Sequence, residues 1–394
     1  MFGYNISLQR IRPKRYTFAR NRAIIVGMEK NLKLRLIICV SVFVAVFVAL
    51  LVVASFYDLQ ISDALTKGSL EKGEYYSSNQ FALFFEVLGD SVVYLLGGIA
   101  SLILVCEVLK LQKGDKFLFF GVVEGEGAAL KCLKISCTIL FSGFAVYEFY
   151  EVFHDVVKYT DRYLYAALLG SGVEFSVGSG YMVAIQLIFA IVTAGLTLAL
   201  LLRVKKEDIF KLAKLAVLVL IVEAAYLVLV GAIKTPIGRM RYRTMNAIGD
   251  FSYYTPWYKI NGARNVDING IIASGSAERD SALFGATDTC KSFPSGHTYC
   301  AATSFALVCL PDLFERFKKT WIKALCWTIP TVYTLTVAVC RIVVGAHFLS
   351  DVLVGGTLSF ALIMIIREAI ILKGAHFKAF LKKKEEIEAE EATE

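Results

Sequence analysis

Long apolar runs alternate with shorter polar stretches along almost the whole chain. Spans are predicted at about 35–57, 81–109, 132–153, 181–203, 212–234, 297–317, 321–344 and 348–372. Each is long enough to cross a bilayer as a helix, for which roughly 20 residues are needed. The pattern predicts an all-α, polytopic membrane helical bundle of about eight transmembrane helices. It divides the chain into a polar tail at 1–34, a membrane domain at 35–372 and a charged tail at 373–394. Composition agrees, since 57% of the 394 residues are hydrophobic and only 19% are charged.

Charge then orients the bundle. The first tail is strongly basic, with Arg10, Arg12, Lys14, Arg15, Arg20, Arg22, Lys30 and Lys33 against Glu29. It is too long for the basic region of an ordinary cleaved leader, so the first span is expected to be retained and the N-terminus to be cytoplasmic. Alternation from there puts Lys110, Lys113, Lys116, Lys131 and Lys134 inside, with Arg203, Lys205, Lys206, Lys211 and Lys214, and then Arg316, Lys318, Lys319 and Lys323. The C-terminal tail also falls inside and ends in an acidic, solvated run from Glu385 to Glu394. The outer loops 58–80, 154–180 and 235–296 are mixed in charge. One group breaks the rule: Lys234, Arg239, Arg241 and Arg243 open the long outer loop, which suggests another job for those cations.

Eight of the nine cysteines lie in or beside apolar runs, and no Cys-x-x-Cys spacing occurs, so they read as packing residues. Cys290 alone sits well inside a polar loop. The chain has only four histidines: His154, His297, His347 and His376.

Three clusters fall on the predicted outer side. Phe293-Pro294-Ser295-Gly296-His297-Thr298 marks the junction between a polar loop and an apolar run. Pro suits a first helical turn, Gly lets a ligand approach the backbone, and free N–H groups there favour an anion. His297 adds a movable proton. Lys234 and Arg241 end the fifth span seven positions apart, with Pro236 and Gly238 between them. Arg341-x5-His347-x3-Asp351 spans the turn between the last two runs, where Gly345 can end one helix and Asp351 can reach His347 on the next. Alone, each cluster has a bland explanation: a helix start, an interfacial basic patch, a salt-bridged cap. Together they supply cations, two histidines and a carboxylate, an inventory suited to phosphoryl transfer.

At these residues the sequence resembles the type 2 phosphatidic acid phosphatase superfamily, whose relatives include polyprenyl-diphosphate phosphatases, glucose-6-phosphatase and vanadium haloperoxidases. The family pattern is Lys-x6-Arg-Pro, Pro-Ser-Gly-His and Ser-Arg-x5-His-x3-Asp. This chain has Lys234-x6-Arg241-Tyr242, Pro294-Ser295-Gly296-His297 and Cys340-Arg341-x5-His347-x3-Asp351. The resemblance implies a six-helix phosphatase core within the bundle. It implies that His347 attacks phosphorus, oriented by Asp351, and that His297 protonates the leaving group. Lys234, Arg241, Ser295, Gly296 and Arg341 would hold the phosphoryl oxygens, and no metal or cofactor would be needed. Tyr242 and Cys340 depart from the family's Pro and Ser.

The implied function is an integral membrane phosphatase acting on a lipid phosphate or polyprenyl diphosphate at the extracytoplasmic leaflet of the plasma membrane, with no nucleic-acid partner. A phosphotransferase passing the phosphoryl group to a lipid or sugar is the alternative, and an anionic-lipid transporter or receptor is the non-enzymatic one. Three membrane-embedded acids, Glu86, Asp90 and Glu223, are structural or supporting candidates. Glu223 could lie beneath the phosphate site. Glu148, Glu151, His154 and Asp155 read as a wet helix end, and Phe251, Tyr253, Tyr254, Trp257 and Tyr258 as an interfacial aromatic belt.

Overall fold

In the computed structural model, residues 15–117, 121–122, 127–159, 180–262 and 289–375 are described. His376, the acidic run, the first fourteen residues, most of the loop expected at 154–180 and the centre of the long loop lie outside them. The chain divides into one unit of 1–49 with 375–394 and a second of 50–374. In the first, the described residues are those of the opening helix from Arg15, together with Ala375.

The described elements are helical apart from a two-residue ladder, β1 (Lys116–Phe117) paired with β2 (Gly121–Val122). Helix α1 (Arg15–Thr66) is followed by α2 (Gln80–Lys110), α3 (Ala128–Tyr159), α4 (Gly180–Leu202) and α5 (Lys206–Ala225). A π-helical turn (Tyr226–Val230) leads into α6 (Gly231–Ile237), and α7 (Tyr242–Ile248) follows. Then come α8 (Gly296–Ala302), a 3-10 stretch (Thr303–Cys309), α9 (Leu310–Leu313), α10 (Thr320–Val343) and α11 (Leu349–Ile366).

Among the described residues, seven stretches are long and apolar enough to cross a membrane: Ile37–Thr66, Gln80–Lys110, Ala128–Lys158, Gly180–Leu202, Lys206–Ile248, Thr320–Val343 and Leu349–Ile371. Their exposed apolar faces fit a lipid surround. On α4, Ile188, Leu196 and Leu200 are each 60% exposed or more. Helix α2 is the opposite case, buried over most of its length and packed against α3, α5, α8 and α10. Asn79 caps its start by accepting from the Ala82 N–H at 3.0 Å.

The sixth expected span, 297–317, is not one regular helix. From Gly296 to Leu313 it changes from α to 3-10 and back. It nevertheless follows α11 from end to end. The Ser295 N–H donates to the Asp351 carbonyl at 2.9 Å at one end, and Arg367 Nε meets Asp312 Oδ2 at 2.7 Å at the other. Because 3-10 turns rise about 2.0 Å per residue against about 1.5 Å in an α-helix, the run reaches roughly 30 Å, the thickness of a hydrocarbon core.

Helix α1 also differs from its sequence span, continuing past residue 57 to Thr66. That extra length buries Asp58, Ser62 and Thr66, which the pattern had left in a polar loop. Of the helix end expected to be wet, Glu148 is buried at 1% exposure, while Glu151, His154 and Asp155 are half-buried.

Candidate active site

Local backbone chemistry sets the positions of the predicted residues. Lys234 lies on α6, which ends at Gly238 in the left-handed region with φ +55°, where a side chain is disfavoured. Beyond it Arg241 is extended, and its N–H donates to the Thr289 carbonyl at 2.9 Å. Tyr242 is the first residue of α7, a position that also accepts proline, and its hydroxyl donates to Asp63 Oδ1 at 2.9 Å. The family's Pro is thus exchanged for a side chain with a partner of its own. Cys340 packs among Ala82, Leu83, Val344 and Ala346, away from polar groups. Cys290 is likewise buried, with Met240, Tyr242 and Phe348.

Pro294 follows a cis peptide and precedes the helix instead of entering its first turn. Ser295 is the N-cap, accepting from the Thr298 N–H at 3.4 Å. Its backbone lies so close to Gly355 of α11 that a Cβ there would collide with the Ser295 carbonyl. Around Gly296 stand the Tyr226 hydroxyl and the Lys234 ammonium, 2.9 and 3.5 Å from where a Cβ would be. Tyr226 belongs to the π-helical turn, an irregularity often found at functional sites, and the sequence reading had not singled it out.

Gly345, with φ +68°, turns the chain between α10 and α11 and carries His347 into the interior. His347 precedes α11, so helical i, i+4 geometry does not govern its approach to Asp351. Its Nδ1–H donates to the Ser292 carbonyl at 2.7 Å, while Asp351 Oδ2 stands 3.6 Å away. A carbonyl only accepts, so Nδ1 bears the hydrogen and Nε2 keeps its lone pair. The carboxylate acts one step removed: the Ser292 hydroxyl and the Phe348 N–H, the latter at 2.8 Å, both donate to Asp351 Oδ2. Arg241 Nη1 lies 3.3 Å from His347 Nε2 and donates to the Ala346 carbonyl at 3.2 Å. Burial, with Arg241, Arg341 and Lys234 nearby, holds the His347 pKa well below its ordinary value, so the imidazole is neutral.

Partners for the cations come from the first two helices. Arg341 pairs with Glu86 of α2 at 2.6 Å, and Arg243 approaches the same carboxylate at 3.5 Å. Arg239, fully buried, reaches Asp351 at 2.6 Å and Asp58 of α1 at 3.0 Å, with the Phe348 ring 4.0 Å beneath its guanidinium. His297 Nε2 meets Asp90 Oδ2 of α2 at 3.0 Å.

This arrangement of Lys234, Arg241, Arg341, two histidines and a buried aspartate coincides with a match of the whole stretch to a family profile. Residues 214–371 form a PAP2 superfamily domain. No curated protein and no solved structure matches the chain. All eight motif residues fall inside the PAP2 domain, whereas Asp58, Glu86 and Asp90 come from helices before it. Among the described residues, no group of three or more His, Cys, Asp or Glu is placed to hold a metal.

Glu223 lies apart from the PAP2 cations. Its carboxyl stands beside that of Glu148, the two flanking Gly97 at 2.5 and 2.9 Å from a would-be Cβ. The loop aromatics divide: Tyr258 is exposed, while Trp257 stacks on Phe293 with centroids 6.0 Å apart and Tyr254 packs on Phe348. Part of the expected belt therefore covers the motif loops. Of the residues missed by sequence reasoning, only Arg239 had a signal, its place in the basic cluster.

Proposed function

We propose that the protein is a membrane lipid phosphatase that forms a phosphohistidine at His347. The observation that carries this reading is the setting of His347 Nε2, a neutral nucleophilic nitrogen 3.3 Å from Arg241 and bordered by Arg341 and Lys234. Arg241 Nη1 faces that lone pair. A phosphoryl group would draw the guanidinium onto its oxygens and free Nε2 to attack. Lys234, Arg241 and Arg341 then neutralise charge on the equatorial oxygens, as a phosphoryl-transfer transition state requires. Ser295 and Gly296 present the start of α8, and Asp351 fixes the loop that orients His347 through Ser292. His297 supplies the proton to the leaving oxygen.

Loop charges favour an extracytoplasmic site, with both chain ends cytoplasmic. Lipid-facing helices around the site suit a substrate whose tail stays in the bilayer. The test is release of phosphate by purified protein in detergent from a panel of lipid phosphates and polyprenyl diphosphates. Wild type should release phosphate from at least one, and His347→Ala should fall by about 10³-fold or more. Release undiminished in His347→Ala contradicts the reading.

A further inference from the structure

The two histidines have unlike surroundings. His347 is enclosed and bonded to a backbone carbonyl. His297 sits at the open edge, facing Asp90, with their side chains 24% and 25% exposed. Asp90 lies on α2, outside the PAP2 domain. Its position is set by close helix packing one residue earlier, where a Cβ on Gly89 would stand 3.2 Å from His297 Cβ and 3.0 Å from Val337 Cγ1. Arg341, His347, Lys234 and Arg241 surround His297. Around Asp90 are Arg341, Lys234, Lys158, Glu86, Asp155 and the Cys300 thiol. Among the described residues, Asp90 is the one carboxylate in ion-pair contact with His297.

We infer that Asp90 is the positioning residue of the acid step, accepting a hydrogen bond from His297 Nε2 so that the ring is held in place and, when protonated, offers its other proton, at Nδ1, to the leaving oxygen. The inference rests on the phosphohistidine reading above. In that step the His347 Nε2 lone pair forms the N–P bond. The ester P–O bond breaks, its electron pair passes to the leaving oxygen, and that oxygen takes the proton from His297. Water then attacks phosphorus, the N–P pair returns to Nε2, and a proton from water restores His297. Asp90 touches no reacting atom; it holds the imidazolium against neighbouring cations.

The test compares a short-chain lipid phosphate, whose alkoxide must be protonated, with p-nitrophenyl phosphate, whose leaving group needs no proton. Asp90→Asn should lower kcat on the lipid phosphate by about 10- to 100-fold, less than the roughly 10²–10⁴-fold a general acid itself contributes, and on the aryl phosphate by less than about 5-fold. Its basic limb on the lipid phosphate should move to lower pH, because an imidazolium without its carboxylate loses its proton sooner. Asp90→Glu should recover part of the loss, and adding Asp90→Asn to His297→Gln should cost nothing further. Asp90→Ser provides a second neutral variant in case the first does not fold. Equal losses on both substrates with an unmoved profile, or no loss in either variant, overturn the inference and leave the phosphatase reading standing. Wild type inactive on both substrates overturns both.

Discussion

Arg239 carries its charge fully buried between Asp58 and Asp351, and the two carboxylates are buried with it. Such a group need not stabilise the fold more than apolar residues would, yet removing one member strands the others without water. Arg239→Met should therefore cost about 3–5 kcal/mol, read from the denaturation midpoint, and adding Asp58→Asn should restore part of it. His347 makes a pH prediction. Burial and neighbouring cations lower its pKa, so the neutral imidazole persists below the ordinary histidine value of about 6.5. The acid limb of kcat/KM due to His347 should thus lie under that value, and Arg341→Ala, which removes one cation, should move it upward. A limb unmoved or displaced downward contradicts the assignment. The motif residues were legible because their spacing lies within single turns or loops. Asp58, Glu86 and Asp90 were not legible as their partners, since no local spacing links α1 or α2 to residues over a hundred positions later.

Helices meet at the site through small residues. Gly355 admits the Ser295 backbone against α11, so Gly355→Ala must push α8 and its N-cap away from the helix that carries Asp351. A loss of about 1–3 kcal/mol is expected, with a larger fall in activity than in folded fraction; melting and turnover of the same preparation separate the two. Gly238→Ala strains a left-handed turn and meets the Gly262 carbonyl, and it should misplace Arg241 relative to Lys234. Hydropathy found the long runs to within a few residues at α2, α4, α10 and α11. It could not show that α1 continues past residue 57, because Asp58 and Asp63 look like loop residues until Arg239 and Tyr242 supply partners. Nor could it show that the run from Gly296 is a mixed helix, since 3-10 and α segments share the same apolar composition.

For the molecule as a whole, α6 ends at the site, the run from Gly296 leaves it, and α10 returns to it. A membrane-impermeant thiol reagent should therefore label Tyr258→Cys in intact cells and Lys318→Cys only after permeabilisation, with the unsubstituted protein as background. The reverse would invert the orientation inferred from loop charges. In the proposed mechanism three basic side chains supply the neutralisation that a metal gives in metal-dependent phosphatases, so activity should persist in excess EDTA. The central claim concerns one bond, between His347 Nε2 and phosphorus. Rapid acid-free quenching after mixing with a lipid substrate labelled in its phosphoryl group should give a base-stable, acid-labile label on the peptide containing His347, absent in His347→Ala. Turnover with no label on His347, or with label on another residue, would contradict the account.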